Sequence, residues 1–581
     1  MQFFRLFLTF TTVILLNKDF VLAQQSYADT IFSPPMDIPV YLAGDFGELR
    51  ADHFHAGIDI KTDGVIGQKV YAADRGYISR IKIQSGGYGH SLYINHPNGY
   101  TTVYGHLSAY IPEIEKFIKD IQYKRKSFEV DVYLPPDKFP VSRHQLVAYS
   151  GNTGFSGGPH LHFEIRTTRD QVPLNVLRFG SNIFNIKDRI KPVIYRVGIY
   201  PMDNKSFVDY KNQKDIEVPY GNNGNYKLNG KPVNVSGKIG FGVETYDYMN
   251  GTNNRFAVYS IKLMVDSTLV YYHTMDEVSF YVTSYVKSQV DYEQRVKNKY
   301  NIQKLFVDPN NKLKIYRDVL NHGEVEFNDD TLHTVDIIVK DAYRNTSKLS
   351  FQVESYSKVT STATTDIDSN FVTTFYYNQP NLFQNSEVKV YIPAYDLYNN
   401  LNFKYARTTG DSTVYSDIHY IQDEYTPVNK DYELSIRTKN LPVRLENKAL
   451  IVNIDKNNKY TAEGGDWDNG FVTANADVFG KFVVMVDTVP PEIVPLHFRN
   501  KRKYAPDQII SFKVTDDLAG IKDYIGYIDG QWALFEYDKK TDSISYTIDT
   551  DRLSSGQKHK LEIIVSDKKD NTARYTGEFY Y

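Results

Sequence analysis

The chain has 581 residues, with Lys+Arg 67 against Asp+Glu 70 and a formal net charge of −3. No basic field therefore points to nucleic acid, and several domains are expected at this length. There is no cysteine, which excludes disulfides and lipid attachment through an N-terminal Cys. The 48 Tyr and 33 Phe suit a chain built mainly of strands.

Met1 to Arg5 is short and positively charged, and Leu6 to Leu16 is an apolar run too short to span comfortably as a mature helix. Val21-Leu22-Ala23 places small or aliphatic residues at the −3 and −1 positions of a cleavage site. Residues 1–23 read as a secretory signal peptide, with a polar Asn17-Lys18-Asp19 that is unusual before the site. No later segment is long and apolar enough to cross a membrane, so an exported protein of the periplasm or cell surface, without a transmembrane anchor, is expected.

Eight of the 14 histidines fall between residues 53 and 162. His55-Ala-Gly-Ile-Asp59 supplies a His and a carboxylate four apart, Tyr104-Gly-His106-Leu-Ser supplies a third context, and Gly158-Pro-His160-Leu-His162-Phe-Glu164 supplies two His at i, i+2. Two imidazoles and one carboxylate suit a catalytic zinc with an open position for water, and the remaining histidines are free for acid–base work. The alternation of Leu161, Phe163 and Ile165 predicts a strand, so His160, His162 and Glu164 share its other face, about 6.6 Å apart in sequence order. By this spacing both imidazoles can reach one metal, or one of them can stand beside it as a catalyst. Fully extended, His55 and Asp59 are about 13 Å apart, so they share a metal only if the backbone bends, which Gly57 permits.

These residues resemble the lysostaphin-like zinc metallopeptidases, which cut peptide bonds in bacterial cell-wall peptidoglycan. The resemblance runs from about Phe32 to Arg178 and includes HFHAGIDIKT, GQKVYAADRGYIS, GGYGHSLYINHPNGYTTVYGHLS and YSGNTGFSGGPHLHFEI. It implies one zinc per chain held by His55, Asp59 and His162, a catalytic pair in His106 and His160, and a small antiparallel β-domain with the metal in a groove. It also favours a D-alanyl cross-link over a glycine bridge as the bond cut. Tyr104, taken to lie on the face of His106, is a candidate for stabilising the oxyanion, and Glu164 for orienting a metal ligand. His53 is expected at the groove edge, and His90 and His96 as turn or surface residues.

The sequence departs from the family pattern between Ala109 and about Gln145, where a short link is usual. Apolar positions 111, 114, 117, 118 and 121 predict a helix there, before the Pro-rich Leu134 to Pro140. The insert is either a surface elaboration or a wall over the substrate groove.

Beyond residue 187 the chain repeats. One module carries Ile239-Gly-Phe241-Gly-Val243 and closes on Ile337-Ile-Val-Lys-Asp341-Ala-Tyr-Arg-Asn345; the last carries Ile510-Ser-Phe512-Lys-Val514 and closes on Ile563-Ile-Val-Ser-Asp567-Lys-Lys-Asp-Asn571. Period-2 strands closed by Asp and Asn turns predict β-sandwiches, and these modules resemble bacterial immunoglobulin-like domains. The first module has about 45 extra residues, including Asp291 to Tyr300. Asp466-Trp-Asp-Asn-Gly470 lacks the pattern of a calcium loop and reads as a turn.

The expected division is therefore peptidase domain 24–187, Ig-like module 188–355, β-rich middle module 356–487 and Ig-like module 488–581, all-β overall. The modules are expected to be spacers or docking surfaces. The expected function is that of an exported zinc metalloendopeptidase whose partner is the peptide stem of peptidoglycan. A catalytically silent wall-binding or regulatory scaffold of the same fold is the alternative. A two-His-one-carboxylate iron oxygenase is disfavoured by its usual HxD spacing.

Overall fold

The computed structural model describes residues 32–179, 184, 186–357 and 371–581. The expected signal peptide and most of the polar 357–365 linker lie outside these residues. The described chain is dominated by antiparallel sheet, and no helix in it is long and apolar enough to cross a membrane.

The first sheet carries the histidines. Its elements are β1 (Leu42–Gly44), β2 (Ile58–Lys61), β3 (Lys69–Tyr71), β4 (Gly76–Ile83), β5 (His90–Asn95), β6 (Tyr100–Tyr110), α1 (Pro112–Arg125), β7 (Val130–Tyr133), β8 (Pro140–Val141), β9 (Leu146–Ser150), β10 (His160–Thr167) and β11 (Pro173–Leu174). The main strand order is β1-β2-β10-β6-β5-β4-β7, with β9 branching from β6 to β3. Ile58 and Ile60 of β2 and Leu161, Phe163 and Ile165 of β10 are fully buried on one face. Their alternation turns Asp59, His160, His162 and Glu164 to the other face.

The insert folds as α1 followed by β7 and β8, which pair with β4. Pro112 opens the helix, where its missing N–H costs nothing, and Glu113 and Glu115 against Lys124 and Arg125 complement the helix dipole. Ile114 and Ile118 bury against the domain core. The strands of the insert join the sheet at β4 and do not extend its β1–β2 edge. Its helix docks the last module: Tyr123 meets Trp532 edge-on at 5.1 Å, the Arg552 guanidinium lies 3.6 Å over Tyr123, and Lys119 pairs with Asp549 at 2.8 Å.

After residue 187, residues 193–355 form a thirteen-stranded assembly, residues 371–486 form six- and five-stranded sheets, and residues 492–580 form two four-stranded sheets. Asn469 and Gly470, both at positive φ, make the two-residue hairpin turn expected of the 466–470 segment.

The first module is no detached spacer. Its extra residues grip the segment that leads to His55. Phe46 and Phe54 share a buried cluster with Met275, Val278, Tyr285, Val286 and Ile315. The Thr283 hydroxyl accepts from Phe54 N at 2.8 Å, and Arg295 donates to the carbonyls of Leu49 and Arg50 at 3.2 and 2.5 Å. Asp291 caps the short helix Tyr292–Asn298 that carries Arg295 by accepting from Gln294 N at 3.1 Å.

Truncating a buried aromatic in such a cluster removes its transfer free energy and leaves a cavity. Phe54→Ala is expected to cost about 3–5 kcal/mol, measured by denaturant unfolding of the full chain. A loss under 1 kcal/mol would mean that the module only lies beside the first domain.

Candidate metal centre

The centre is built on β10 with β2 and β6 on either side. The register sets His162 across from Asp59 of β2 and across from Gly105 of β6. His55 comes from the turn before β2, held by Gly47 N to His55 O and His55 N to Glu48 O, both 2.9 Å. Gly57 is required there for space: a Cβ would lie 2.3 Å from the Phe163 carbonyl oxygen.

Three side-chain atoms converge. Asp59 Oδ1 lies 3.1 Å from His55 Nε2 and 2.9 Å from His162 Nδ1, and those two nitrogens are 3.1 Å apart. Ligands about 2.0–2.1 Å from a tetrahedral zinc stand roughly 3.3 Å from one another, so this N/O set fits the metal. The outer nitrogens are tied: His55 Nδ1 donates to the Asp45 carbonyl at 2.7 Å, and His162 Nε2 donates to Glu164 Oε1 at 2.8 Å. Once the ring is neutral, each tie leaves the inner nitrogen with its lone pair, as a ligand requires. Arg50 stands 3.5 Å from Asp59 Oδ2, the oxygen on the other side.

His160 and His106 stand beside the triad, with ring centroids 4.7 Å apart. His160 Nε2 is 3.4 Å from Asp59 Oδ1, and its Nδ1 donates to the Gly158 carbonyl at 2.8 Å. His106 Nδ1 donates to the Thr153 carbonyl at 2.7 Å. Both rings therefore keep Nε2 as an acceptor. The side chains of His160 and Asp59 are 13% and 12% accessible, against 8% for His55 and 3% for His162, which marks the open side.

Burial tends to neutralise these groups, and their neighbours decide the outcome. Burial pulls the Asp59 carboxyl up, but His55, His160 and His162 outweigh it and hold Asp59 well below the usual range. Burial pulls His162 down, but its bonds to Asp59 and Glu164 lift it to about 9. Glu164 is held at about 2 because Arg166 and His162 overcome its burial. His106 is pushed down to about 3 by burial and by the charges of His162 and His160, so it is neutral.

Tyr104 is not in the site. It lies opposite Phe163 in the ladder, on the core face, where its hydroxyl accepts from Ala73 N at 2.8 Å and from Thr102 at 3.0 Å. The reason is a break in alternation: His106 has φ +59, and the pairing of β6 shifts around it, so residues 104 and 106 no longer share a face. His90 and His96 are core residues and not surface ones, at 8% and 5% exposure. His96 bonds the Arg75 carbonyl and Thr102, and His90 stacks with Tyr110. His53 is exposed and paired with Asp52.

The residue that sequence reasoning missed is Tyr88, which stacks on His162 at 4.9 Å between Gly87 and Gly89, both at positive φ. The Gly87-Tyr88-Gly89 run was the available signal. Arg166, which donates to Glu164 Oε2 at 2.5 Å and lies 4.6 Å from the Phe280 ring of the first module, was also missed.

Metal uptake must displace the proton that His162 carries between Asp59 and Glu164. A group lifted to about 9 is protonated at neutral pH, so affinity for a divalent cation is expected to rise with pH up to that value. Calorimetry in buffers of different ionisation enthalpy should read roughly one proton released per metal at neutral pH. Release of none would mean that His162 is already neutral.

The sequence matches Peptidase family M23 over residues 53–121, a stretch that includes His55, Asp59 and His106 and ends inside α1, and a Zu5-like domain over residues 372–487. An uncharacterized metalloprotease of Haemophilus influenzae is 28% identical over 162 residues, 28% of this chain and 27% of its own. The DD-carboxypeptidase/endopeptidase Mpg of Neisseria meningitidis is 33% identical over 129 residues, 22% of this chain and 24% of its own. The match thus spans about a quarter of each relative's length. Among solved structures, a zinc containing peptidase from Vibrio cholerae is 26% identical with a TM-score of 0.19, covering 25% of this chain and 39% of that one. The metal-ligand geometry and the sequence match together identify a peptidase family M23 domain in the N-terminal part of this chain.

Proposed function

We propose that the chain is an exported zinc endopeptidase that hydrolyses peptide cross-links of bacterial peptidoglycan. The observation that carries this reading is the meeting of His55, Asp59 and His162 beside two further histidines whose Nε2 atoms are left as acceptors. The D-alanyl cross-link is the favoured bond, supported by the name of the Neisseria relative. The domain division proposed with it is 24–187 for the peptidase, then modules 188–355, 356–487 and 488–581. The silent-scaffold alternative loses weight because no ligand or catalytic position is missing.

Zinc held by His55, Asp59 and His162 supplies Lewis acidity, which lowers the pKa of water and polarises the scissile carbonyl. The chain's own groups do the rest. A water between His160 and His106 gives its two protons to two Nε2 acceptors, which aims an oxygen lone pair at the carbonyl. His160, the more exposed of the two rings, takes the proton. His106, whose charged form is disfavoured by burial and by neighbouring charge, remains the orienting acceptor. The proton on His160 then passes to the leaving amine. The Gly158 and Thr153 carbonyls keep both rings in the required tautomer throughout.

Ligands and catalysts separate experimentally. His162→Ala is expected to lose the metal, while His160→Ala and His106→Ala keep it and lose turnover of a cross-linked muropeptide by roughly a factor of 10² or more. Metal analysis and kinetics on the same preparations check this. Wild-type turnover by His160→Ala or His106→Ala would remove that residue from the mechanism.

A further inference from the structure

Outside the metal centre, the described residues hold two more groups of acidic side chains whose ligating oxygens all lie within 4.8 Å of one another: Asp188, Asp247 and Asp341, and Asp487, Asp516 and Asp567. The two groups are copies of one construction. Asp188-Arg-Ile-Lys-Pro192-Val-Ile194 and Asp487-Thr-Val-Pro-Pro491-Glu-Ile493 lead into the first and last modules. Asp247 and Asp516 each stand one residue past a strand, Val233–Tyr246 and Ile509–Thr515, and each precedes a glycine by four residues, Gly251 and Gly520. Asp341 and Asp567 belong to the repeated Ile-Ile-Val-x-Asp-x-x-x-Asn. Each accepts from the Asn amide four residues on, Asn345 Nδ2 to Asp341 Oδ2 at 2.6 Å and Asn571 Nδ2 to Asp567 Oδ2 at 2.7 Å.

Such a group needs a counter-charge. Asp247 and Asp341 are each 1% exposed. Burial and the facing carboxylates lift Asp247 to about 9 and, against the Asn345 bonds, Asp341 to about 7. The charged groups that act most strongly on these two are their fellow aspartates. An independent observation points to a ligand. Asp247 Oδ1 is buried without a hydrogen-bond partner, and so is its counterpart Asp516 Oδ1. A buried carboxylate oxygen left unpaired is costly, and here the same cost recurs at the matching position of both modules.

We propose that each group is a calcium site that locks a module to the linker entering it. Three carboxylates give an all-oxygen donor set, which suits calcium. Zinc favours nitrogen and sulfur, and magnesium keeps most of its waters. The Asp188 and Asp487 carbonyls, 3.4 and 3.1 Å from the Asn amides, add oxygens at the same places. The first site is tied to the peptidase domain. Asp247 bridges to Phe256, the next residue Ala257 donates to Asp45 Oδ1 at 2.8 Å, and the Asp45 carbonyl holds His55. The second joins the middle and last modules, where Lys448 donates to Asn571 Oδ1 at 2.7 Å and to the Lys569 carbonyl at 2.6 Å. Lys448 and Lys569 beside the second group offset part of its charge, so it is the weaker site.

The test is calorimetric titration of the chelator-treated full chain with calcium alone. Two sites are expected, the tighter lost in Asp247→Asn and the weaker in Asp516→Asn. Calcium should raise the unfolding temperature of the wild type. Without calcium, Asp247→Asn should unfold at or above the wild-type temperature, because it removes the cost of burying a carboxyl that must take up a proton beside Asp188 and Asp341, and such melting shows that the variant folds. No calcium uptake by the wild type, two sites surviving in both variants, or a calcium-free Asp247→Asn that melts below wild type would each overturn the inference.

Discussion

The constraint on which the metal centre depends is the burial of both faces of β10. One face is apolar, as any core strand is. The other carries His162, Glu164 and Arg166, at 2%, 0% and 5% exposure, where unpaired charges are untenable. The chain meets this with a line of alternating charge, Asp59, His162, Glu164 and Arg166, each bonded to the next. Removing one member of such a buried line costs about 3–5 kcal/mol, because its neighbour is left charged and alone. The same line orients the ligand, so stability and metal geometry rest on one set of bonds.

Several features of this arrangement are legible in the sequence. The alternation through Leu161, Phe163 and Ile165 predicts which side His160, His162 and Glu164 occupy, and period-2 patterning predicts the all-β class. What a single sequence withholds is register. Which His of the pair meets Asp59 is decided by the β2–β10 ladder, a long-range pairing that no local pattern encodes. Tyr104 was misplaced because the left-handed backbone at His106 breaks the alternation on which face assignments rest. His90 and His96 are polar residues of the kind usually found outside, yet each is buried among specific partners.

The relation between the modules and the metal centre is likewise tertiary. The extra residues of the first module have no internal motif that announces a binding role. They matter because Phe46 and Phe54, on the peptidase side, need an apolar cover. The turn so covered includes Asp45, whose carbonyl sets the His55 tautomer. The insert is used in the same way from the opposite end of the sheet, where α1 offers Tyr123 and Lys119 to the last module. Both ends of the peptidase sheet are thus braced by later parts of the chain.

The central claim is that this braced centre cuts peptide cross-links. The most direct measurement is mass spectrometry of products from a defined peptidoglycan dimer joined by a D-alanyl cross-link, incubated with the metal-loaded full chain. The account predicts two monomeric stems, one ending in a freed D-alanine carboxylate and the other carrying a freed side-chain amine, and no products after chelation. An intact dimer, or cleavage confined to the glycan, would contradict it.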